Sequence, residues 1–363
     1  MKVITIVGAR PQFIKAAVVS RAFRNIAPTV KEIIIHTGQH YDNNMSKVFF
    51  DELNIPEPNY NLGIGGGTHG QNTGRMIEKI EEILLKETPD WLLVYGDTDS
   101  TLAGALAAAK LQIPIAHVEA GLRSFNRKMP EELNRILTDH LSSLLFTPTD
   151  RATRNLSNEG IHTSKIEQVG DVMFDAMKFY KNKTIKPKQF DNNKKEFILC
   201  TIHRAENTDD PLHLTSIISA LNEIAKTIAV VLPLHPRTRQ LLSSNNTKNT
   251  TTNNITFIDP VSYLEMIWLL ENCSLVITDS GGLQKEASFA KKLCLTIREE
   301  TEWVELVENQ LNILVGTNEQ KIIKTALDNI SKNIQFPQHS LYGIGNTGSK
   351  IVSSLITSKQ TNK

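Results

Sequence analysis

His117–Arg135 reads HVEAGLRSFNRKMPEELNR and lays three carboxylates around one loop. Ile113 to Val118, which overlaps its start, is apolar and β-branched enough to form a buried strand. Glu119 therefore falls just past a strand end, where α/β sheets hold their ligands. Pro130 opens a new helix as its first residue, because its ring presets the helical φ and its missing N–H is not needed there. Glu131 and Glu132 then sit in the first turn, where the helix dipole favours negative charge. Helix capping is a sufficient role for either acid. It suits Glu132 better, since Glu131 is read together with Glu119 and a second acidic strand end.

That second strand end lies one unit upstream. Trp91 to Tyr95 is an apolar run followed by Gly96-Asp97-Thr98-Asp99-Ser100, and a helix is expected from Thr101 to Lys110 with Asp99 or Ser100 as its N-cap. Consecutive βα units usually lie side by side, which puts Asp97 and Glu119 on adjacent strands facing one pocket. Two close carboxylates drive their pKa values apart and so supply one acid and one base at neutral pH.

Towards the N-terminus, Lys2 to Val7 forms a strand, Gly8-Ala9-Arg10 a turn, and Pro11 the first residue of a helix with Phe13, Ile14, Ala17 and Val18 on one face. The turn lacks the G-x-G-x-x-G pattern, which argues against NAD or flavin binding in the usual manner. Arg10 and Lys15 can instead meet an anion with side-chain charge beside a helix N-terminus. Glu32 to His36 is a second strand, with a helix expected near Met45 to Leu53. His36 and His40 straddle a strand end and a glycine, which is no arrangement for a metal pair. GIGGGTHGQNTG, residues 63–74, has many glycines but no Gly-Lys-Ser/Thr ending, so it is no P-loop. A helix from Gln71 to Lys86 follows.

Towards the C-terminus the βα pattern continues with strand Leu144 to Pro148, helix Arg151 to Glu159 and strand Ile166 to Val169. Lys181 to Glu196 is polar, charged and poor in core residues, and is read as an interdomain connection. The pattern then restarts. Strand Phe197 to Ile202 delivers His203-Arg204-Ala205-Glu206-Asn207 to a loop, helix Pro211 to Lys226 follows, and strand Ala229 to Leu234 ends at His235-Pro236-Arg237. Ser243 to Asn254 is a low-complexity surface loop. Strand Leu275 to Thr278 precedes Asp279-Ser280-Gly281-Gly282 and a helix from Leu283 to Ala290. Ser280, Gly281 and Gly282 offer backbone N–H groups to a phosphate, and Glu286, one turn in, suits a pair of ribose hydroxyls. Strand Asn312 to Val315, helix Glu319 to Ile330 and a final helix Asn346 to Ile356 that returns to the first domain complete the reading. The expected domains are residues 1–180 and 197–345, joined by 181–196, with 346–363 returning to the first.

The totals limit the possible partners. The 363 residues carry 40 basic and 39 acidic side chains, a formal charge of +1, so no global field argues for nucleic acid or membrane. No apolar run approaches a membrane span, and MKVITIVGARPQ is too soon broken for a signal peptide. Cys200, Cys273 and Cys294 each lie in apolar context and read as reduced core thiols of a cytoplasmic protein.

GARPQFIK, GDTDS, HVEAGLRS, MPEELNR, TIHRAEN and DSGGLQKEA, in this order, resemble the motifs of the non-hydrolysing UDP-N-acetylglucosamine 2-epimerases. The resemblance covers nearly the whole chain. It implies an α/β GT-B fold, two Rossmann-like domains with parallel sheets facing across a cleft that holds a UDP-sugar, in a cytoplasmic homodimer needing neither NAD nor metal. The implied reaction interconverts UDP-GlcNAc and UDP-ManNAc by UDP elimination through a 2-acetamidoglycal and re-addition, for surface polysaccharide precursors. By matching motif, Asp97, Glu119 and Glu131 are the acid/base set and His203 lies near the leaving diphosphate. Arg10 and Lys15 hold substrate and leaving phosphates, Ser280, Gly281 and Gly282 the diphosphate, and Glu286 the ribose.

The chain also departs from the family pattern. Trp303 stands where many members have an arginine, and Met266 where an aromatic commonly packs on uracil. GQHYDNNMS lacks the Arg and Gln that some relatives use for a second, activating UDP-GlcNAc. SFNRKMPEE is two residues shorter than the commonest version, which resembles the branch acting on UDP-2,3-diacetamido-2,3-dideoxyglucuronate. Among rival functions, a hydrolysing relative is disfavoured by the retained Arg10 and Lys15. A GT-B glycosyltransferase needs fewer acids, and a silent UDP-sugar-binding protein predicts the loss of an acid, whereas all are present.

Overall fold

KVITIV, WLLVY, FILCT and LVIT are continuous apolar runs, the mark of parallel strands covered on both faces. The computed structural model describes all residues except 40–49, 51, 52, 54, 56, 191–195, 235–254, 331, 333, 338–340, 362 and 363. The body of the helix expected near Met45, His40 and the stretch it begins, His235-Pro236-Arg237 and the low-complexity loop lie outside the described residues. The chain divides into two compact units, Met1–Lys178 with Ser340–Lys363, and Phe179–His339.

The first unit is built from β1 (Lys2–Val7), α1 (Arg10–Ile26), β2 (Lys31–His36), β3 (Tyr60–Asn61), α2 (His69–Glu87), β4 (Trp91–Tyr95), α3 (Asp99–Lys110), β5 (Ile115–Val118), α4 (Pro130–Leu141), β6 (Leu144–Thr147), α5 (Asp150–Asn158), β7 (Ile166–Gln168) and α6 (Val172–Tyr180). Its strands run in the order β3-β2-β1-β4-β5-β6-β7, every neighbouring pair parallel. Ile4, Ile6, Leu92, Val94 and Ile115 form the sheet side of the core, against Met76, Ile80 and Leu84 of α2 and the alanines of α3. Small residues let α3 approach closely: a Cβ on Gly104 would lie 3.0 Å from Ile6 Cγ1 and 3.4 Å from Val94 Cγ1.

The second unit repeats the plan with β8 (Phe197–Thr201), α7 (Ala205–Thr208), α8 (Pro211–Ile224), β9 (Ala229–Pro233), β10 (Ile255–Ile258), α9 (Tyr263–Asn272), β11 (Leu275–Thr278), α10 (Gly281–Phe289), β12 (Cys294–Thr296), α11 (Val304–Glu308), β13 (Asn312–Leu314) and α12 (Glu319–Asn329). Its parallel order is β10-β9-β8-β11-β12-β13. Ile198, Val230, Leu232, Leu275, Ile277 and Leu295 pack on Leu214, Ile217 and Leu221 of α8 and Ile322 of α12. Before β8, Phe190 is buried edge-on to Phe197 and Trp268, 4.9 and 5.1 Å between centroids, which ties that part of the 181–196 segment to this unit. The final helix, α13 (Thr347–Thr361), packs on α1. All three cysteines are free and buried, and burial pushes the Cys273 and Cys294 thiols up to about 12.

Both strand orders reverse direction about the first strand, between β1 and β4 and between β8 and β11, and open α/β sheets bind ligands beyond the strand ends at such a switch point. In the first unit Gln12 stitches the point together. Its Oε1 accepts from the Gly8 and Ala9 amides at 2.8 and 3.0 Å, and its Nε2 donates to Tyr95 O and Thr101 Oγ1 at 2.8 and 2.9 Å. Asp279 does the same in the second unit, taking the His203 and Arg204 amides at 3.0 Å each and Asn207 Nδ2 at 3.1 Å.

Candidate active site

β4 and β5 are neighbours, with Val94 opposite His117 and Tyr95 opposite Val118, so Asp97 and Glu119 follow adjacent strand ends as the order of units implies. Between them lies Gly96, at φ +63°, where a Cβ would stand 3.1 Å from Lys15 Nζ and 3.5 Å from Glu119 Oε2. Only glycine leaves that space open. Glu119 itself has φ +72°, a left-handed value uncommon outside glycine. Its carboxylate forms an ion pair with Lys15 Nζ, the two side chains 7 and 10% exposed.

Asp97 keeps 36% of its side chain exposed and receives Arg135 Nη1 at 2.6 Å. Desolvation by the surrounding protein raises its carboxyl above the ordinary range; Arg135 and Lys15 pull it down, while Glu119 and Glu131 push it further up. Glu131, on the first turn of α4, is solvent-exposed and close enough for its charge to bear on Asp97. The structure thus brings Asp97, Glu119, Glu131 and Lys15 into one electrostatic cluster, a set suited to giving and taking protons. Arg10, half-buried, is the first residue of α1.

In the second unit His203 is exposed at the end of β8, its Nδ1 3.0 Å from Asp279 Oδ1. Burial would raise the Asp279 carboxyl, but the His203 ring, the Arg204 amide and Asn207 hold it below its usual range. Ser280 caps α10, its Oγ accepting the Leu283 amide, and Gly281 and Gly282 form the first turn. Nothing stands within 4 Å of a Cβ built on Gly282, whereas one built on Gly281 would run into Glu302 Oε1, so a carboxylate lies against this helix start. Glu286 is buried one turn on.

A family profile described as UDP-N-acetylglucosamine 2-epimerase matches residues 24–356. The chain belongs to that family. UDP-2,3-diacetamido-2,3-dideoxy-D-glucuronate 2-epimerase of Pseudomonas aeruginosa is 56% identical over 358 residues, 98% of this chain and 99% of its own. The UDP-N-acetylglucosamine 2-epimerase of Methanocaldococcus jannaschii is 46% identical over 373 residues, 99% of this chain and 100% of its own. The crystal structure of the M. jannaschii UDP-GlcNAc 2-epimerase in complex with UDP-GlcNAc and UDP matches with a TM-score of 0.88 at 44% identity, covering 98% of this chain and 100% of that one. This chain is accordingly an isomerase of the 2-epimerase family, with the GT-B class of fold.

Several details of the epimerase differ from the sequence reading. Helix α1 begins at Arg10 rather than Pro11, because extended Ala9 is its N-cap and Gln12 satisfies the amides there. Thr98, not Asp99 or Ser100, caps α3 by accepting the Thr101 amide. Asp99 is thereby free to take His69 Nδ1 at 2.7 Å and Asn134 Nδ2 at 3.2 Å. Helix α10 starts at Gly281 rather than Leu283, since Ser280 is the cap. Lys15 forms an ion pair with Glu119, a contact the sequence reading did not include. Trp303 is buried under Lys285, whose Nζ is 4.1 Å from the ring centroid. Met266 is half-buried on α9.

Arg135 and His117 of the epimerase's first unit escaped the sequence reading, which gives Glu132 only as a helix cap. Glu132 is no simple cap. It takes the Phe125 and Ser124 amides at 2.8 and 3.0 Å and Arg135 Nη2 at 2.7 Å, so it both folds the preceding loop and aims Arg135 at Asp97. Burial opposes its ionisation, yet the Ser124 amide and Arg135 bring it below the usual range. Arg135 is signalled by its spacing from Glu132, three residues on the same helix face. His117 is signalled by a polar ring in the buried run IAHV.

Proposed function

We propose that the epimerase inverts C2 of a UDP-2-acetamido sugar by eliminating and re-adding UDP, with Asp97, Glu119 and Glu131 as its acid/base set. The observation that carries this reading is the gathering of Asp97 and Glu119 on adjacent strand ends, with Glu131 beside them and Lys15 and Arg135 as counterions. The C2 hydrogen of such a sugar is not acidic. The anomeric C1–O bond therefore breaks first, UDP leaving with the bonding pair, and the oxocarbenium-like character at C1 acidifies C2–H. One carboxylate takes the proton and a 2-acetamidoglycal forms; a second acid protonates C2 from the other face as the UDP oxygen returns to C1.

Ser280, Gly281 and Gly282 hold the diphosphate, Glu286 the ribose, and His203 and Arg10 meet the charge that develops on departing UDP. Lys15 holds Glu119 as a carboxylate and adds positive charge beside the leaving group. UDP-GlcNAc and UDP-ManNAc are the simplest pair for this chemistry. UDP-2,3-diacetamido-2,3-dideoxyglucuronate is a second reading, supported by the 56% identity to the P. aeruginosa enzyme. The protein acts as a homodimer in the cytoplasm and supplies a surface polysaccharide precursor. Steady-state assay of both substrates, with UDP-sugar epimers separated by chromatography, tests the reading: one should be inverted without added metal or nicotinamide. Failure on both, or equal activity in Glu119→Gln, overturns it.

A further inference from the structure

The proposed acids stand on three segments, the turn after β4 with Asp97, the end of β5 with Glu119, and helix α4 with Glu131. One side chain touches all three. His117 lies on β5 two residues before Glu119 and is wholly buried. Its Nε2 is 2.7 Å from the carbonyl of Gly96, the residue before Asp97, and its Nδ1 is 2.7 Å from Asp139 Oδ1 on α4.

The direction of both bonds follows from their partners. A carbonyl oxygen only accepts, so Nε2 donates. Asp139 Oδ2 lies 2.7 Å from Arg123 Nη1 and accepts the Gly121 amide at 3.1 Å, the surroundings of a carboxylate, so Nδ1 donates as well. Arg123 in turn is held by Glu159 through two bonds of 2.7 Å, so the chain from Gly96 to Glu159 is satisfied at every link. A strand position in IAHV that served packing alone would be filled at less cost by an apolar side chain, because buried charge is maintained only in fully paired networks.

We propose that His117 is a positioning residue of the 2-epimerase reaction, a two-donor clamp that sets the Gly96–Asp97 turn against Glu119 and α4. It acts through Asp97 and does not touch substrate. The proposal rests on the acid/base reading of Asp97 and Glu119.

Two variants separate the ring's bonds. Gln at 117 places an amide nitrogen where Nε2 stands and keeps the Gly96 bond. Asn places it near Nδ1 and keeps only the Asp139 bond. His117→Asn should lose about 10²-fold in kcat and His117→Gln no more than about tenfold, because misplacing a reacting group by about 1 Å costs on that order. KM for the UDP-sugar should stay close to the wild-type value in both, and the ranking in kcat should not follow the ranking in Tm. Equal kcat in the two variants, or kcat that simply tracks Tm, overturns the clamp. If neither variant folds, nitrogen NMR of histidine-labelled wild-type protein decides: two N–H signals on His117 support the clamp, and a single tautomer overturns it. Wild-type protein inactive on both UDP-GlcNAc and the diacetamido uronate would instead overturn the 2-epimerase reading, while the ring's N–H signals still test the clamp.

Discussion

Glu119 holds a left-handed backbone, φ +72°, at a cost of about 1–3 kcal/mol for a non-glycine residue, and its carboxylate ends against a buried lysine. Such a pair is costly to break from one side. Lys15→Met should destabilise the fold by about 3–5 kcal/mol by leaving the Glu119 carboxylate without its ammonium, and adding Glu119→Gln should recover much of that loss. Urea unfolding of the single and double variants checks this; additive losses would mean that the pair contributes nothing. Asp97 behaves in the opposite sense. Its folded-state pKa is raised, so folding favours the protonated form: that contribution is full below the unfolded pKa and is lost as pH rises through the folded one. Asp97→Asn, locked neutral, should be at least as stable as wild type at neutral pH, with an advantage that shrinks in acid. It should nevertheless lose about 10²–10⁴-fold in kcat. Equilibrium unfolding and turnover across pH measure both, and a variant less stable than wild type at neutral pH would contradict the assignment.

Helix α4 shows what an element can hide. Spacing in PEELNRILTDHL sets Leu133 and Leu137 on one face, which a helix ordinarily turns to the core. Here Leu133 and Leu137 are 45 and 47% exposed, while Glu132, Asn134, Arg135, Thr138 and Asp139 are buried. The helix is docked by charge. Glu132 and Asp139 both have depressed pKa values, so their contribution is present above the unfolded carboxylate pKa and is lost as pH falls through the lower folded values, below about pH 4. Amide protection over residues 130–141, taken relative to the intrinsic exchange rate at each pH, should therefore be lost below about pH 4 before the β1–β4 strands lose theirs; simultaneous loss would show that α4 does not depend on these charges.

The same helix marks the limit of what could be read from sequence. The strands, the adjacency of Asp97 and Glu119, and the Pro130 helix start were legible because apolar runs, strand order and proline are local signals. Glu132, Arg135 and His117 were not, since their meaning lies in partners such as Asp97, Ser124 and Gly96, which only the fold brings within reach. β3 and β12, of two and three residues, are too short to carry a period.

At the scale of the whole molecule, two units of the same Rossmann-like order divide the proposed work, acids in the first and diphosphate and ribose contacts in the second. UDP alone should therefore stabilise the protein, by about 2.7 kcal/mol at a hundredfold excess over Kd. Glu286→Gln should shrink that shift and Asp97→Asn should leave it intact, as read by thermal melts with and without UDP. An unchanged shift in Glu286→Gln would remove the ribose assignment. The chemistry itself is tested most directly by proton NMR of the wild-type protein in D2O, with UDP-GlcNAc and with UDP-2,3-diacetamido-2,3-dideoxyglucuronate. Elimination and re-addition require deuterium at C2 of the inverted UDP-sugar, in step with turnover, and no accumulation of free sugar. Inversion that keeps the original C2 proton, or release of free UDP and reducing sugar, would contradict the account.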